Sequence, residues 1–211
     1  WRGSILCPIH KQGDQSDPAN YRLIALLDVE GKGFALNLLE ELENWAEINK
    51  ILPFTQNGFR PRSSTLDNII TLIYLASKAR QPNSSPLFCC LVDYSAAFDR
   101  VDRHKLWSKL ASWGIPAKLL QSIISLYSNT WVQIKLDTRH LSNVYYSTIG
   151  LKQGCVLAPI LFNLYTADLP QALFGAGLAP PKIGGIKIQL LQYADDLVIF
   201  DQTKVGLRRS L

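Results

Sequence analysis

The chain has 211 residues, of which 47% are hydrophobic and 18% are charged, and its formal net charge is +5. This is the composition of a globular protein long enough to bury a sizeable core, and it excludes a disordered or low-complexity chain. No apolar run approaches the roughly 20 residues that span a bilayer, so no membrane partner is predicted. The excess of positive charge favours a polyanionic partner.

The first third of the chain predicts two strands and then two helices. Short apolar runs at 5–9 and 23–27 flank a polar loop and are typical of paired strands. Apolar residues at spacings of three and four predict an amphipathic helix over 34–48. Ser64 followed by Asp67 resembles a capping box, which predicts that a second helix begins there.

Between these two helices lies a loop with phosphate-binding potential. Gly58 lacks a side chain, so its backbone is able to approach a ligand closely. Arg60 and Arg62 carry guanidinium groups, which suit phosphate oxygens. The segment 81–86 is a polar, proline-containing loop and is the predicted boundary between two subdomains.

The apolar run 87–92 predicts a strand buried on both faces, and it ends at Asp93. A carboxylate at the end of a buried strand is costly unless it is paired, hydrogen-bonded or bound to a metal. Two interpretations of Asp93 therefore stay open. It is either a functional carboxylate or the cap of the segment that follows.

The rest of the chain predicts helices and strands that lead to one hairpin. A helix that Gly114 ends and another that Pro116 begins come first, followed by paired strands at 131–136 and 144–149. Pro159 begins a further helix, and 170–185 is predicted to be a loop. Four cysteines, none in a CxxC pair, are interpreted as reduced, packed thiols of an intracellular protein: Cys7, Cys89, Cys90 and Cys155.

Two apolar runs, 186–191 and 197–200, flank the sequence Tyr193-Ala194-Asp195-Asp196 and predict a hairpin with two carboxylates at its tip. Adjacent carboxylates repel each other unless a cation neutralises them, and oxygen ligands suit Mg²⁺. The other interpretation is an Asp-rich turn, because Asp favours turns. If one sheet brings the pair to Asp93, three carboxylates are able to hold two Mg²⁺ ions about 4 Å apart, as phosphoryl or nucleotidyl transfer requires.

Over essentially its whole length, the sequence resembles the reverse transcriptase domain of non-LTR (LINE-type) retrotransposons. Six motifs carry this resemblance, in the order of the family and at similar spacings. They are residues 8–14, 20–24, 56–60, Asp93 with 97–99, 150–155 and 193–196.

The resemblance implies a role for each matching position. Asp93, Asp195 and Asp196 are the expected catalytic carboxylates, and these three residues with the carbonyl of Tyr94 are the expected ligands of two Mg²⁺ ions, for which Mn²⁺ substitutes. Residues expected at the incoming dNTP are Lys11, Arg22, Ala97, Phe98 and Gln153, with Phe98 excluding a 2′-hydroxyl. Residues expected at the template are Gly58, Arg60 and Gly154.

The implied fold is α+β, a right-hand polymerase fold with fingers over 1–85 and a palm over 86–211 that is incomplete at its C-terminus and lacks a thumb. The implied function is RNA-directed DNA polymerase, with an RNA template, a DNA primer and dNTPs as partners and a nuclear site of action after a cytoplasmic ribonucleoprotein stage. Two alternatives stay open. One is a truncated or domesticated remnant that binds nucleic acid or a partner without catalysis, and the other is an RNA-dependent RNA polymerase.

Overall fold

The computed structural model describes residues 2–174 and 178–210. Helices and strands follow in the order β1 (Gly3–His10), a 3₁₀ turn (Pro18–Asn20), β2 (Tyr21–Leu26), α1 (Val29–Ile48), α2 (Thr65–Ala79), β3 (Phe88–Asp93), α3 (Arg103–Ser112), α4 (Ala117–Tyr127), β4 (Thr130–Ile134), β5 (Tyr145–Ser147), α5 (Ala158–Tyr165), α6 (Leu169–Phe174), β6 (Lys182–Ile183), β7 (Ile186–Lys187), β8 (Leu190–Tyr193), β9 (Asp196–Asp201) and α7 (Lys204–Arg209). No described helix combines the length and hydropathy of a membrane span.

Contacts divide the chain into two compact units, each assembled from two segments. The first unit joins Trp1–Asn49 to Ala96–Tyr165, and the second joins Lys50–Ser95 to Thr166–Leu211. The division into fingers and palm at residue 85 stays a prediction, because these units are defined by packing and not by that boundary.

The first unit contains a four-stranded sheet in the order β2-β1-β4-β5. The predicted pairs β1/β2 and β4/β5 are antiparallel, and β1 runs parallel to β4. Helix α1 begins earlier than predicted, at Val29, because the Asp28 side chain caps its first turn. Gly114 follows Trp113, the C-cap of α3, and adopts a φ of +76°, as predicted for a helix stop.

The second unit contains a three-stranded antiparallel sheet in the order β3-β9-β8. One core cluster lies on one face, where Leu75 of α2 packs on Leu191 and Phe200. A second cluster joins Leu173 of α6 to strands β8 and β9. The predicted capping box of Ser64 and Asp67 is present at the start of α2.

Two predictions for the second unit are wrong. Strand β3 is not buried on both faces: Leu91 is 78% exposed, and Cys89, predicted to be a packed thiol, is exposed. The reason is that the apolar cluster around Leu75 of α2 is centred on β8 and β9 and does not extend to Leu91. The predicted loop 170–185 contains most of α6 and all of β6. Helix α6 forms because Leu173 packs against apolar residues of the sheet. Residues 175–177 of the predicted loop lie outside the described part.

Candidate active site

The predicted hairpin is present, with β8 and β9 as its strands and Ala194 and Asp195 as its tip. Asp196 is the first residue of β9 and pairs with Tyr193 on one side and with Asp93 on the other. The sheet of the second unit therefore brings Asp93 next to the carboxylate pair. Directly opposed residues of an antiparallel pair have Cβ atoms about 5 Å apart and project from the same face.

The register places Asp196, and not Asp195, directly opposite Asp93. Asp93 and Asp196 are exposed, whereas Asp195 at the tip is half-buried. Like charges directly opposite each other destabilise a sheet. A bound cation would remove this repulsion.

The donor chemistry of the site fits a hard divalent ion. Oxygen atoms of Asp93, Asp195 and Asp196 are its ligand candidates, and carboxylate oxygens are what Mg²⁺ and Mn²⁺ prefer. Among the described residues, however, no three His, Cys, Asp or Glu side chains converge as a ready metal-binding group. Asp93 and Asp196 thus provide two neighbouring carboxylates for a metal site, and Asp195 immediately precedes Asp196 in the sequence.

Gln56 fixes the conformation of the hairpin tip, a role that the sequence motif did not reveal. Its Oε1 accepts hydrogen bonds from the backbone N–H groups of Ala194, at 3.0 Å, and Gly58, at 2.9 Å. Its Nε2 donates to the Ala194 carbonyl at 3.2 Å. Ala194 has a φ of +58°, which is uncommon for a residue with a side chain. Because Gln56 is 1% exposed, water does not compete with these bonds.

The loop around Gln56 also covers the free edge of β8. The Gln192 N–H donates to the Thr55 carbonyl at 2.8 Å, and the Asn57 N–H donates to the Gln192 carbonyl at 3.0 Å. Asn68 of α2 donates from its side chain to the same Gln192 carbonyl at 2.9 Å. These bonds satisfy the backbone of an edge strand that otherwise would be open.

Gly58 approaches this hairpin closely. A Cβ at Gly58 would lie 2.0 Å from the Ala194 nitrogen and 2.8 Å from the Tyr193 carbonyl carbon. The close backbone approach predicted for Gly58 is therefore made to protein, and its role at the template stays a prediction. Arg60 donates to the Pro53 carbonyl at 3.0 Å, and its contact with a template also stays a prediction.

Tyr94 follows Asp93 and packs its side chain against the cluster of Leu173, Leu190 and Leu197. Burial raises the pKa of its hydroxyl. The side chain therefore anchors the end of β3 in the core. The predicted role of its carbonyl as a metal ligand is untested.

The residues predicted to bind the dNTP lie in the first unit, where Phe98 and Gln153 are each held by contacts with neighbouring residues. The Leu151 N–H donates to the Phe98 carbonyl at 2.8 Å. Phe98 stacks on Phe162 with ring centroids 4.8 Å apart. The Gln153 side chain donates to both carboxylate oxygens of Asp99 at 2.8 Å. These contacts hold Phe98 and Gln153 in defined positions.

The other predicted dNTP and template residues of this unit lie at the end of the β1/β2 hairpin, in the 150–154 loop and in the turn that contains Ala97. Lys11 and Arg22 are exposed at the same end of the β1/β2 hairpin, where the Lys11 N–H donates to the Asn20 carbonyl at 2.8 Å. Gly154 has a φ of +107°, and a Cβ there would lie 2.7 Å from the Ala25 carbonyl oxygen. Ala97 precedes Phe98 and is half-buried. Their roles at a substrate stay predictions.

Arg103 is a buried cation that the sequence did not single out. It is 5% exposed, and burial lowers its pKa. Its guanidinium donates to the carbonyls of Gly150, Tyr127 and Ser147 at 2.7, 3.1 and 2.9 Å and to the Thr130 hydroxyl at 3.0 Å. Arg103 therefore ties the start of the 150–154 loop to α4 and to strands β4 and β5.

A mixed α+β chain whose antiparallel sheet opposes carboxylates at a hairpin tip has the features of a polymerase palm, a setting for two-metal chemistry. The chain belongs to the reverse transcriptase (RNA-dependent DNA polymerase) family, whose model matches residues 9–211. The predicted family resemblance is thereby confirmed.

Relatives of the chain come from non-LTR retrotransposons. It is 29% identical over 196 residues to "RNA-directed DNA polymerase from mobile element jockey" of Drosophila funebris, an alignment that covers 92% of this chain and 20% of that protein. It is 26% identical over 212 residues to "Retrovirus-related Pol polyprotein from type-1 retrotransposable element R2" of Popillia japonica, covering 100% of this chain and 29% of that protein. The chain thus spans less than a third of the length of either relative.

Solved structures confirm the predicted reverse transcriptase fold. Telomerase from Candida tropicalis superposes with a TM-score of 0.63 at 12% identity, covering 99% of this chain and 45% of that one. Telomerase from Candida albicans gives 0.64 at 13% identity, covering 98% and 38%. At these identities the likeness concerns the fold alone.

Proposed function

We propose that the chain is the catalytic core of an RNA-directed DNA polymerase of a LINE-type element. The observation that carries the proposal is the register of the second unit, which sets Asp93 directly opposite Asp196 beside the hairpin tip. Membership of the reverse transcriptase family supports it. The partners are an RNA template, a DNA primer and dNTPs, and the site of action is the nucleus, after a cytoplasmic ribonucleoprotein stage.

The metal ligands in this proposal are the carboxylates of Asp93, Asp195 and Asp196 with the carbonyl of Tyr94. When bound, two Mg²⁺ ions, or Mn²⁺ in their place, supply activation of the primer 3′-hydroxyl and neutralisation of the departing pyrophosphate. The protein holds the carboxylates ready, because Gln56 fixes the tip and the β-ladder fixes Asp93.

Other side chains bind and select the nucleotide. Lys11 and Arg22 carry an ammonium and a guanidinium group for the triphosphate, and both are exposed. Phe98 is held by its stacking on Phe162 and collides with a 2′-hydroxyl, which selects deoxynucleotides. Gln153, fixed by Asp99, packs against the nascent base pair. Gly58, Arg60 and Gly154 line the template.

The test is primer extension on an RNA template with Mg²⁺ and dNTPs. The double variant Asp195→Asn/Asp196→Asn is compared with the wild type and with Asp137→Asn, which removes an exposed carboxylate from a surface turn. Loss of extension in the double variant alone supports the polymerase. If neither the wild type nor the control extends the primer although both are folded and bind RNA, the chain is a non-catalytic remnant.

Phe98 separates this function from that of an RNA polymerase. We expect Phe98→Ala to incorporate ribonucleotides that the wild type rejects. Wild-type extension with ribonucleotides in preference to dNTPs would instead identify an RNA-dependent RNA polymerase. Unchanged sugar selectivity in Phe98→Ala would remove Phe98 from this role.

A further inference from the structure

A pocket lies in the second unit, at the end of the three-stranded sheet remote from the carboxylates. It has a volume of about 380 Å³ and is bordered by Leu87, just before β3, and Gln202, just after β9. Asp93 stands at the other end of the six-residue strand β3. At about 3.4 Å per residue, the length of that strand separates the pocket from the carboxylates by about 17 Å.

The rim of this pocket is basic. Lys78 and Lys182 line it, and the Lys78 ammonium donates to the Lys182 carbonyl at 3.2 Å. Lys187 pairs directly with Lys182 across the β6/β7 ladder. Like charges at opposed positions are destabilising. No Asp or Glu is among the described residues that line the pocket, so an anion from outside the unit is the natural counter-charge.

The rest of the lining favours a nucleotide over a simple ion. Its apolar wall is formed by Leu75, Leu87, Pro180 and Pro181. Polar groups able to reach a base edge come from Ser84, Ser85 and Gln202. The volume falls in the range of pockets that hold organic ligands. An apolar wall with a few polar groups and a basic rim suits a base together with its flanking phosphate.

We propose that this pocket binds one nucleotide unit of a single-stranded polynucleotide, as a nucleic-acid contact remote from the catalytic carboxylates. The base lies against the leucines and prolines, and the flanking phosphates meet the three lysines. This site goes beyond the proposed polymerase function. It rests on that function in one respect: the bound strand is taken to be the RNA template.

Lys182→Glu tests the proposal, because it moves stability and binding in opposite directions. The substitution places opposite charges at the Lys182 and Lys187 positions of the ladder, so the melting temperature should stay the same or rise. Affinity for a labelled single-stranded RNA, measured by fluorescence anisotropy without Mg²⁺ or dNTPs, should fall about fivefold, as for the loss of one exposed ion pair. The slope of log K against log salt should become shallower by about 0.7.

Lys118→Glu is the matched control. It makes the same change of charge at an exposed position in the first turn of α4, in the first unit. An equal loss of RNA affinity in both variants would mean that only net charge matters, and this would overturn the proposal. A loss confined to Lys182→Glu supports it, and does so even if the wild type fails to extend a primer, because the binding assay needs no catalysis.

A competition arm separates a polynucleotide from smaller phosphates. The bound RNA is titrated with dATP and, separately, with inorganic phosphate at the same ionic strength. Retention of the RNA in the wild type supports the polynucleotide. Displacement by dATP that is abolished in Lys182→Glu would assign the pocket to a free mononucleotide, and displacement by inorganic phosphate would assign it to a simple anion; either result would overturn the proposal.

Discussion

Substitution of Gly58 by alanine should disrupt the hairpin that carries Asp195 and Asp196. The added Cβ would lie 2.0 Å from the Ala194 nitrogen, whereas ordinary van der Waals contact begins at 3.4 Å. One of the two backbones must therefore move by about 1.4 Å, the difference between these distances. The Ala194 nitrogen is a backbone atom and the position of a Cβ is fixed by its own backbone, so no side-chain rotation relieves the clash.

Two energetic terms follow from this movement. Overpacking of a filled interior costs about 1–3 kcal/mol. The shift also strains the bonds from Gly58 and Ala194 to the Gln56 side chain, each worth about 1 kcal/mol. We expect Gly58→Ala to lower the free energy of unfolding by about 2–4 kcal/mol. A displacement of about 1 Å near reacting groups costs about 100-fold in rate, so primer extension should fall by a similar factor.

Urea unfolding measures the first effect and single-nucleotide extension the second. Gly33→Ala is the matched control, because it makes the same substitution in α1 where a Cβ would meet no atom within 4 Å. Alanine in a helix is about 0.5–1 kcal/mol more favourable than glycine, so the control should be slightly stabilised. An unfolding midpoint for Gly58→Ala equal to that of the wild type would refute the packing argument.

Three further substitutions test buried contacts by urea or thermal unfolding. Arg103→Met leaves several buried acceptors without a donor and should cost about 3 kcal/mol, while Arg103→Lys, which keeps the charge and one donor group, should cost less; an unfolding free energy of Arg103→Met equal to that of the wild type would contradict this. Gly150→Ala should cost about 1–3 kcal/mol, because its φ is +78° and a Cβ would lie 2.6 Å from the Asp99 carbonyl oxygen, and a wild-type melting temperature would contradict this. Asp201→Asn should cost about 2 kcal/mol, because one oxygen of the buried carboxylate accepts a bond from the Thr203 N–H, at 2.6 Å, and the other from the Ala179 N–H, at 2.8 Å, whereas an amide has only one oxygen. Unchanged unfolding would argue against this network.

The sequence by itself determined the local elements and the chemistry of the carboxylates. Two apolar runs located the strands of the hairpin, although the run 186–191 is divided between β7 and β8, and the adjacent acids Asp195 and Asp196 placed the charge at its tip. Capping residues fixed the start of α2, where Ser64 and Asp67 form the expected reciprocal bonds. These features depend on neighbours within a few residues, so the sequence is enough to predict them.

Burial and register were decided by the tertiary structure. The apolar run 87–92 has the composition of a buried strand, but β3 lies at a sheet edge and leaves Leu91 exposed. That Asp93 opposes Asp196, and not Asp195, depends on the alignment of two strands more than 100 positions apart in the chain. A shift of one residue would turn either carboxylate to the other face, and no local pattern specifies that choice.

The sequence also did not predict the hydrogen bonds of Gln56 and Arg103 that hold these segments together. Gln56 reads as one polar residue of a loop, yet its side chain bonds both the N–H and the carbonyl of Ala194, 138 positions away. Arg103 belongs to none of the sequence motifs, yet it is buried among carbonyls. Hydrogen bonds of this kind join segments that are distant in the chain, so only the folded arrangement determines which polar side chains hold the site in place.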